Sequence, residues 1–230
     1  MKCLICNSKN IQKSKNIVRC LSCGHQYKEI QEAKNIEFQS KYHLRSRCRT
    51  LTLVNNQVPK TFHNERYGIC KSRVNKIKGI LKEEYTLLDV GGSCGTFGVH
   101  IKPYVKEIEI TDLANYQKKE SERLGFKFYQ GNFLTLNIDK KYDIVTAWHV
   151  LEHINDVNKF IEKCKSLSKK YIVIEVPTER KIQQNIESDG HIHYFTSSSF
   201  KVLLDKFFKT YTLQKGVQKP ALLAIIKKGI

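Results

Sequence analysis

The sequence predicts an α/β fold: a mostly parallel sheet with helices on both faces, preceded by a small cysteine-bearing segment. Three observations carry it. From residue 81 onward, short apolar runs alternate with helix-period stretches. One run, Leu87-Leu88-Asp89-Val90, opens directly into the small-residue loop Gly91-Gly92-Ser93-Cys94-Gly95 and then a helical pattern. In such a strand–turn–helix the backbone can approach a ligand closely. Finally, four of the eight cysteines fall near the start as two C-x2-C pairs.

Those four, Cys3, Cys6, Cys20 and Cys23, have the spacing of a zinc knuckle pair. Residues 1–30 are too few to bury a core, so zinc binding would supply much of this ribbon's folding free energy. Redox or disulfide use is the alternative. It is disfavoured by the matched pairs and by a start, Met1 to Cys6, that leads into polar sequence without a signal-peptide pattern. His25 could replace one ligand, but four cysteines suffice.

Residues 31–80 read as a basic linker with a docking helix. Arg66 to Leu81 carries Ile69, Val74, Ile77, Ile80 and Leu81 at helical spacing, suited to packing beneath the first strand. Residues 1–80 hold 17 Lys/Arg against 4 Asp/Glu, with Arg45, Arg47 and Arg49 clustered. That asymmetry suits a nucleic acid, although an Asn- and Ile-rich chain also accumulates lysine on a solvated surface. No apolar run approaches the roughly 20 residues that span a bilayer, so a soluble, cytoplasmic protein is expected.

Within residues 81–230, Glu107 to Asp112 alternates as a second strand and ends in an acid 23 residues after Asp89. A carboxylate there can accept both ribose hydroxyl protons. Phe126 to Tyr129 is the third strand, leaving through Gly131-Asn132-Phe133, where Asn132 either accepts a bond from a ligand or shapes a turn. Tyr142 to Trp148 is a buried fourth strand that runs into His149-Val150-Leu151-Glu152-His153, and Tyr171 to Val176 is a fifth, stopped by Pro177. Lastly His191-Ile192-His193-Tyr194-Phe195-Thr196 precedes an apolar-periodic helix from Phe200 to Phe208.

The loop itself reads D-x-G-x-S-x-G, with its acid before the first glycine. A nicotinamide fingerprint instead places the acid about 20 residues after it. The loop also fits the hydrolase elbow G-x-S-x-G. However, the last histidine, His193, lies only four residues after Asp189, and no oxyanion-forming segment precedes the elbow.

The motif resembles motif I of class I S-adenosylmethionine-dependent methyltransferases, usually D/E-x-G-x-G-x-G. Asp89, Gly91 and Gly95 match, and Ser93 replaces the central glycine. The Leu151-Glu152-His153 triplet and the His191 to Thr196 segment resemble one branch of that family, and the likeness covers about residues 66–226. It implies a Rossmann-like sheet of seven strands and S-adenosylmethionine as donor. The donor would be held by Asp89, Gly91, Gly92, Ser93 and Gly95, by Asp112 and Leu113, by Asn132 and Phe133, and by Trp148.

Methyl transfer is an in-line displacement, so alignment and removal of the acceptor's proton are what the protein supplies. His149, His191 and His153 are the candidates for that, with Glu152 as an orienter. The position after the fourth strand reads Ala147-Trp148-His149-Val150, not the N/D-P-P-Y/F segment of amino-directed base methyltransferases. A small polar acceptor such as a sugar or pathway metabolite is favoured. The alternatives are RNA or protein gripped by ribbon and linker, and a noncatalytic module with a degenerate donor site.

Overall fold

The computed structural model describes residues 1–32, 34–37, 39, 64–178, 190–218 and 220–229. The arginines at 45, 47 and 49, and Asp189, lie outside the described residues. The N-terminal segment forms β1 (Ile11–Ser14), β2 (Ile17–Cys20) and β3 (Gln26–Lys28), paired antiparallel in that order. Helix α1 (Asn64–Ile77) follows, tightening into a single 3-10 turn over Lys78–Ile80.

The larger sheet takes β4 (Thr86–Val90), β5 (Glu107–Asp112), β6 (Lys127–Gln130), β7 (Tyr142–Trp148) and β8 (Ser168–Pro177), all parallel. A two-residue strand, β9 (His193–Tyr194), is followed by the hairpin β10 (Thr212–Lys215) and β11 (Ala221–Lys227). The sheet order is β10-β11-β8-β7-β4-β5-β6, with β11 antiparallel to β8. This is the seven-stranded, mostly parallel sheet that the resemblance implies. All seven residues of β7 are buried, as a central parallel strand covered on both faces requires.

Short helices fill the crossovers: α2 (Thr96–Ile101), α3 (Lys118–Arg123), α4 (Val157–Leu167) and α5 (Ser197–Phe207). Sequence places their starts. Asp156 caps α4 by accepting from the Lys159 N–H, and Thr196 exchanges bonds with Ser199 in a capping box at α5. Consecutive residues of β4 divide the core. Leu88 joins Val145, Phe160, Ile172 and Phe200, while Leu87 joins Val74, Ile77, Phe97 and Ile110. Both leucines are fully buried, and truncating either to alanine would cost about 2–5 kcal/mol. Of the apolar positions expected to dock, Val74 and Ile77 are buried beside Leu87, while Ile69, Ile80 and Leu81 are partly buried.

Two features of this arrangement position the site. Strand β4 lies between β5 and β7, so the chain order reverses there and opens a crevice outside the carboxyl ends. In addition, β3 pairs antiparallel with β9, Gln26 opposite Tyr194 and Tyr27 opposite His193. The N-terminal strands and β9 therefore form one four-stranded sheet that ties the cysteine-bearing segment to the crevice's far side.

Candidate functional site

The crevice holds a cavity of about 330 Å3, bordered by the ends of β4, β5 and β7 and by the loop Gly91–Ser93. Small-molecule sites run from roughly 300 to 1,000 Å3. Of the ten predicted donor-binding residues, Asp89, Gly91, Gly92, Ser93, Asp112, Leu113, Asn132, Phe133 and Trp148 border this cavity; Gly95 does not.

Backbone geometry explains the loop. Gly91 has φ +68, its N–H donates to the Thr111 carbonyl at 2.7 Å, and a Cβ there would meet Val150 Cγ2 at 2.4 Å. Gly95 ends the loop at φ +87, packed against Phe126 and Ile110. Between them Ser93 adopts φ +55, the left-handed conformation a glycine would take without strain.

Asp89 is 1 % exposed and accepts a 2.7 Å bond from Thr146 Oγ1. Burial pushes its carboxyl up to about 7, against the pull of Thr146 and Arg73. Arg73, from α1, also borders the cavity, with its guanidinium 5.0 Å from the Trp148 ring centroid. It lies 3.5 Å from Glu175 and donates to Gln218 at 3.3 Å. Trp148 packs edge-on against Phe97 at 5.2 Å, and its indole N–H has no partner among the described residues.

Asp112 is held from two sides. Ser93 N–H donates to Oδ2 and Ala114 N–H to Oδ1, both at 3.0 Å, so the carboxylate is fixed at the mouth of β5. Asn132 Oδ1 accepts from the Leu134 N–H at 3.0 Å, the turn-shaping geometry.

On the opposite wall sits a histidine cluster. His149, at φ +57, places Nε2 3.0 Å from Glu175 and Nδ1 3.3 Å from Glu152. Burial opposes its charge, but the two carboxylates prevail and raise its pKa to about 9. As a cation the ring has N–H on both sides and no lone pair for a further proton. His153 borders the cavity and directs Nδ1 to the Gly190 carbonyl at 2.8 Å. His191 does not border it; the ring lies behind, with its centroid 4.9 Å from that of His153 and Nε2 3.9 Å from Glu152.

A third wall comes from residues that the sequence did not single out. Glu32, Asn35, Ile36 and Gln39, from the start of the linker, border the cavity. Asn35 donates to the His153 carbonyl at 2.9 Å, and Gln39 to the Gly190 carbonyl at 2.7 Å. Arg73 was missed too. Its signal, a cation inside the docking helix, is common on solvated helix faces and only the fold turns it inward.

In the N-terminal sheet, the sulfurs of Cys3, Cys6, Cys20 and Cys23 lie within 4.8 Å of one another. Cys3 and Cys23 are 3.7 Å apart, Cys6 and Cys20 3.5 Å, and the Ile5 N–H points at Cys3 Sγ. His25 is directed elsewhere. Its Nε2 meets His193 Nδ1 at 3.1 Å in a fully buried contact, so His193 is unavailable to Ser93 and the hydrolase arrangement does not form.

The fold is similar to solved methyltransferases. Magnesium protoporphyrin IX methyltransferase from Synechocystis, with bound SAH, aligns at TM-score 0.62 and 14% identity, over 86% of this chain and 100% of that one. The DhpI–SAH complex aligns at 0.58 and 14%, over 86% and 94%. N-methyltransferase NodS from Bradyrhizobium japonicum aligns at 0.55 and 13%, over 75% and 100%. Among curated proteins, none matches the sequence. The profile of the methyltransferase-domain family matches residues 62–207, most of the chain, and with the switch-point cavity this places the protein in that family as an enzyme.

Proposed function

We propose that the enzyme transfers a methyl group from S-adenosylmethionine to a small polar acceptor. The observation that carries this reading is the cavity itself. One wall is the glycine loop with Asp89 and Asp112, the facing wall carries His149 and His153, and the linker's Glu32 to Gln39 closes the third. Its size suits a donor and a compact acceptor better than a polymer.

The donor supplies an electrophilic methyl group, and the residues present fit it. Asp89 would receive the methionine ammonium, and Arg73, which borders the same cavity, would offer a cation to the carboxylate of that zwitterion. Asp112, aimed by two backbone N–H groups, accepts from the ribose hydroxyls. Leu113 and Phe133 offer apolar surface for the adenine, with Asn132 shaping the turn that carries Phe133. On the acceptor side His149 is a positioning cation between Glu152 and Glu175. The acceptor's proton is handled at His153, with His191 behind it.

The four cysteines form a zinc ribbon in this reading, since four thiolates at these separations suit one tetrahedral ion. The pairing of β3 with β9 supports a scaffolding role, in which the ribbon braces the acceptor wall. RNA or protein as acceptor draws on the basic excess of residues 1–80. Labelled-methyl transfer separates the readings, with extract fractionated into small molecules, RNA and protein and Asp89→Ala as control. Label in the small-molecule fraction, lost in the control, supports the proposal; label in RNA or protein overturns the acceptor class.

A further inference from the structure

We infer that Glu152, His153 and His191 form a second metal site, one that takes a divalent transition ion on a carboxylate and two imidazoles. One ligand atom from each of the three lies within 4.8 Å of the others. The site differs in kind from the cysteine cluster, because it offers nitrogen and oxygen without sulfur. Two histidines and a carboxylate suit zinc, cobalt or ferrous iron, and such a set leaves coordination positions open.

The strongest sign is Glu152. Its side chain is 0 % exposed, and neither carboxylate oxygen has a hydrogen-bond partner among the described residues. Its 3.3 Å contact to His149 and 3.9 Å contact to His191 both involve Oε1, and Oε2 makes no hydrogen bond among the described residues. Buried carboxylates are hydrogen-bonded, ion-paired or bound to metal. Here the histidine contacts gather at Oε1 while Oε2 makes no hydrogen bond, and a divalent ion would satisfy the group.

The histidines are prepared for the same role. His153 Nδ1 is tied to the Gly190 carbonyl at 2.8 Å, so that nitrogen carries the proton and Nε2 keeps the lone pair. A backbone carbonyl on the far nitrogen is how metal-bound histidines are usually oriented. The ligands' main chains are clamped as well. Ile192 N–H donates to the Glu152 carbonyl at 3.0 Å, Lys28 Nζ to the His191 carbonyl at 3.1 Å, and Asn35 to the His153 carbonyl at 2.9 Å. The ligand set is therefore held from three separate parts of the chain.

His153 is the ligand that borders the cavity, which gives an acceptor oxygen a route to the ion. A hydroxyl bound to a divalent cation loses its proton more readily, so the favoured acceptor would carry a hydroxyl able to ligate metal. With the ion bound, the metal and not the His153 ring would ease loss of the acceptor's proton; that consequence rests on the methyl-transfer reading, and the ion site does not.

Cobalt(II) tests the site directly. It is added to tag-free protein given a single equivalent of zinc beforehand, which the four thiolates take in preference to a nitrogen–oxygen set. The expected result is a saturable visible d–d band at about one equivalent, without the intense thiolate charge-transfer band of a cysteine site. Glu152→Gln and His191→Ala should each weaken this binding by roughly tenfold or more. S-adenosylhomocysteine binding, measured on the same samples, reports whether each variant is folded, and His191 lies outside the donor cavity. A wild type without a saturable band, or a band kept in both folded variants, overturns the site. Either result leaves the donor reading standing, because donor binding is read separately.

Discussion

The backbone N–H of Ser93 meets the Asp112 carboxylate at 3.0 Å, tying the glycine loop to the end of the neighbouring strand. The same carboxylate accepts from Ala114, so its direction is set before any ligand arrives. Asp112→Ala should therefore weaken donor binding at least about tenfold, the ~1.4 kcal/mol of one charged hydrogen bond or more. Titration calorimetry checks it. Unchanged affinity in a folded variant would falsify the ribose assignment.

Ser93 holds φ +55 without being glycine. Ser93→Gly should relieve that strain by about 0.5–1 kcal/mol, raising the melting temperature by roughly 1–4 °C, with donor affinity equal or tighter. A lower melting temperature would show that the serine side chain contributes more than its conformation costs.

Asp89 gives the enzyme a pH signature. Its pKa of about 7 lies above the ~3.9 of an unfolded aspartate, so the native state holds an extra proton between those values. This group's contribution to stability is therefore greatest at low pH and is lost as pH rises through that window. Donor binding runs the other way, since the ammonium needs the carboxylate. Affinity should fall by up to about tenfold per pH unit below 7, with proton release on binding near pH 6 and little near pH 8. Calorimetry in buffers of different ionisation enthalpy measures the release, and Asp89→Asn should abolish it.

Gly91→Ala probes the close approach in the loop. The added methyl would meet Val150 Cγ2 at 2.4 Å from a φ of +68, so strain and overlap act together. The loss should be about 2–4 kcal/mol, read as a lower melting temperature and weakened donor binding. A variant that binds donor like the parent would mean the loop has room that the geometry denies.

Chelation tests the ribbon. Stripping zinc should loosen β1 to β3, and because β3 is β9's strand partner, amide exchange should quicken at His193 and Tyr194. Protection at those two residues that survives complete zinc removal would uncouple the ribbon from the acceptor wall.

What the sequence disclosed and what it withheld have a physical pattern. Strands β4, β5, β6 and β8 were legible as short runs closed by a glycine, an acid or a proline, and β7 as a continuous buried run ahead of His149. The walls made by β4 and β5 followed, since Asp89, the loop and Asp112 sit at fixed offsets from those strands. Contacts between distant segments left no local trace. Nothing in the linker's composition marks Asn35 and Gln39 as partners of His153 and Gly190. Nor did a histidine after the fourth strand announce that Glu175, on the next strand, would join Glu152 in holding its charge. Asn132 shows the reverse case, where a turn residue behaves as its local preference dictates.

The pairing of β3 with β9 also bears on the order in which the molecule is assembled. His25 and His193 touch across a separation of 168 residues. On the ribosome β1 to β3 emerge well before β9, their fourth partner, with more than 160 residues between them. Contacts of such long range are closed late, because the loop entropy must be overcome before the pairing contributes. The ribbon's outer strands can form early around their cysteines, while its last edge waits open for β9. A chain halted before residue 193 would leave that edge exposed to other strands. A segment synthesised well before β9 is thus completed only once β9 is made.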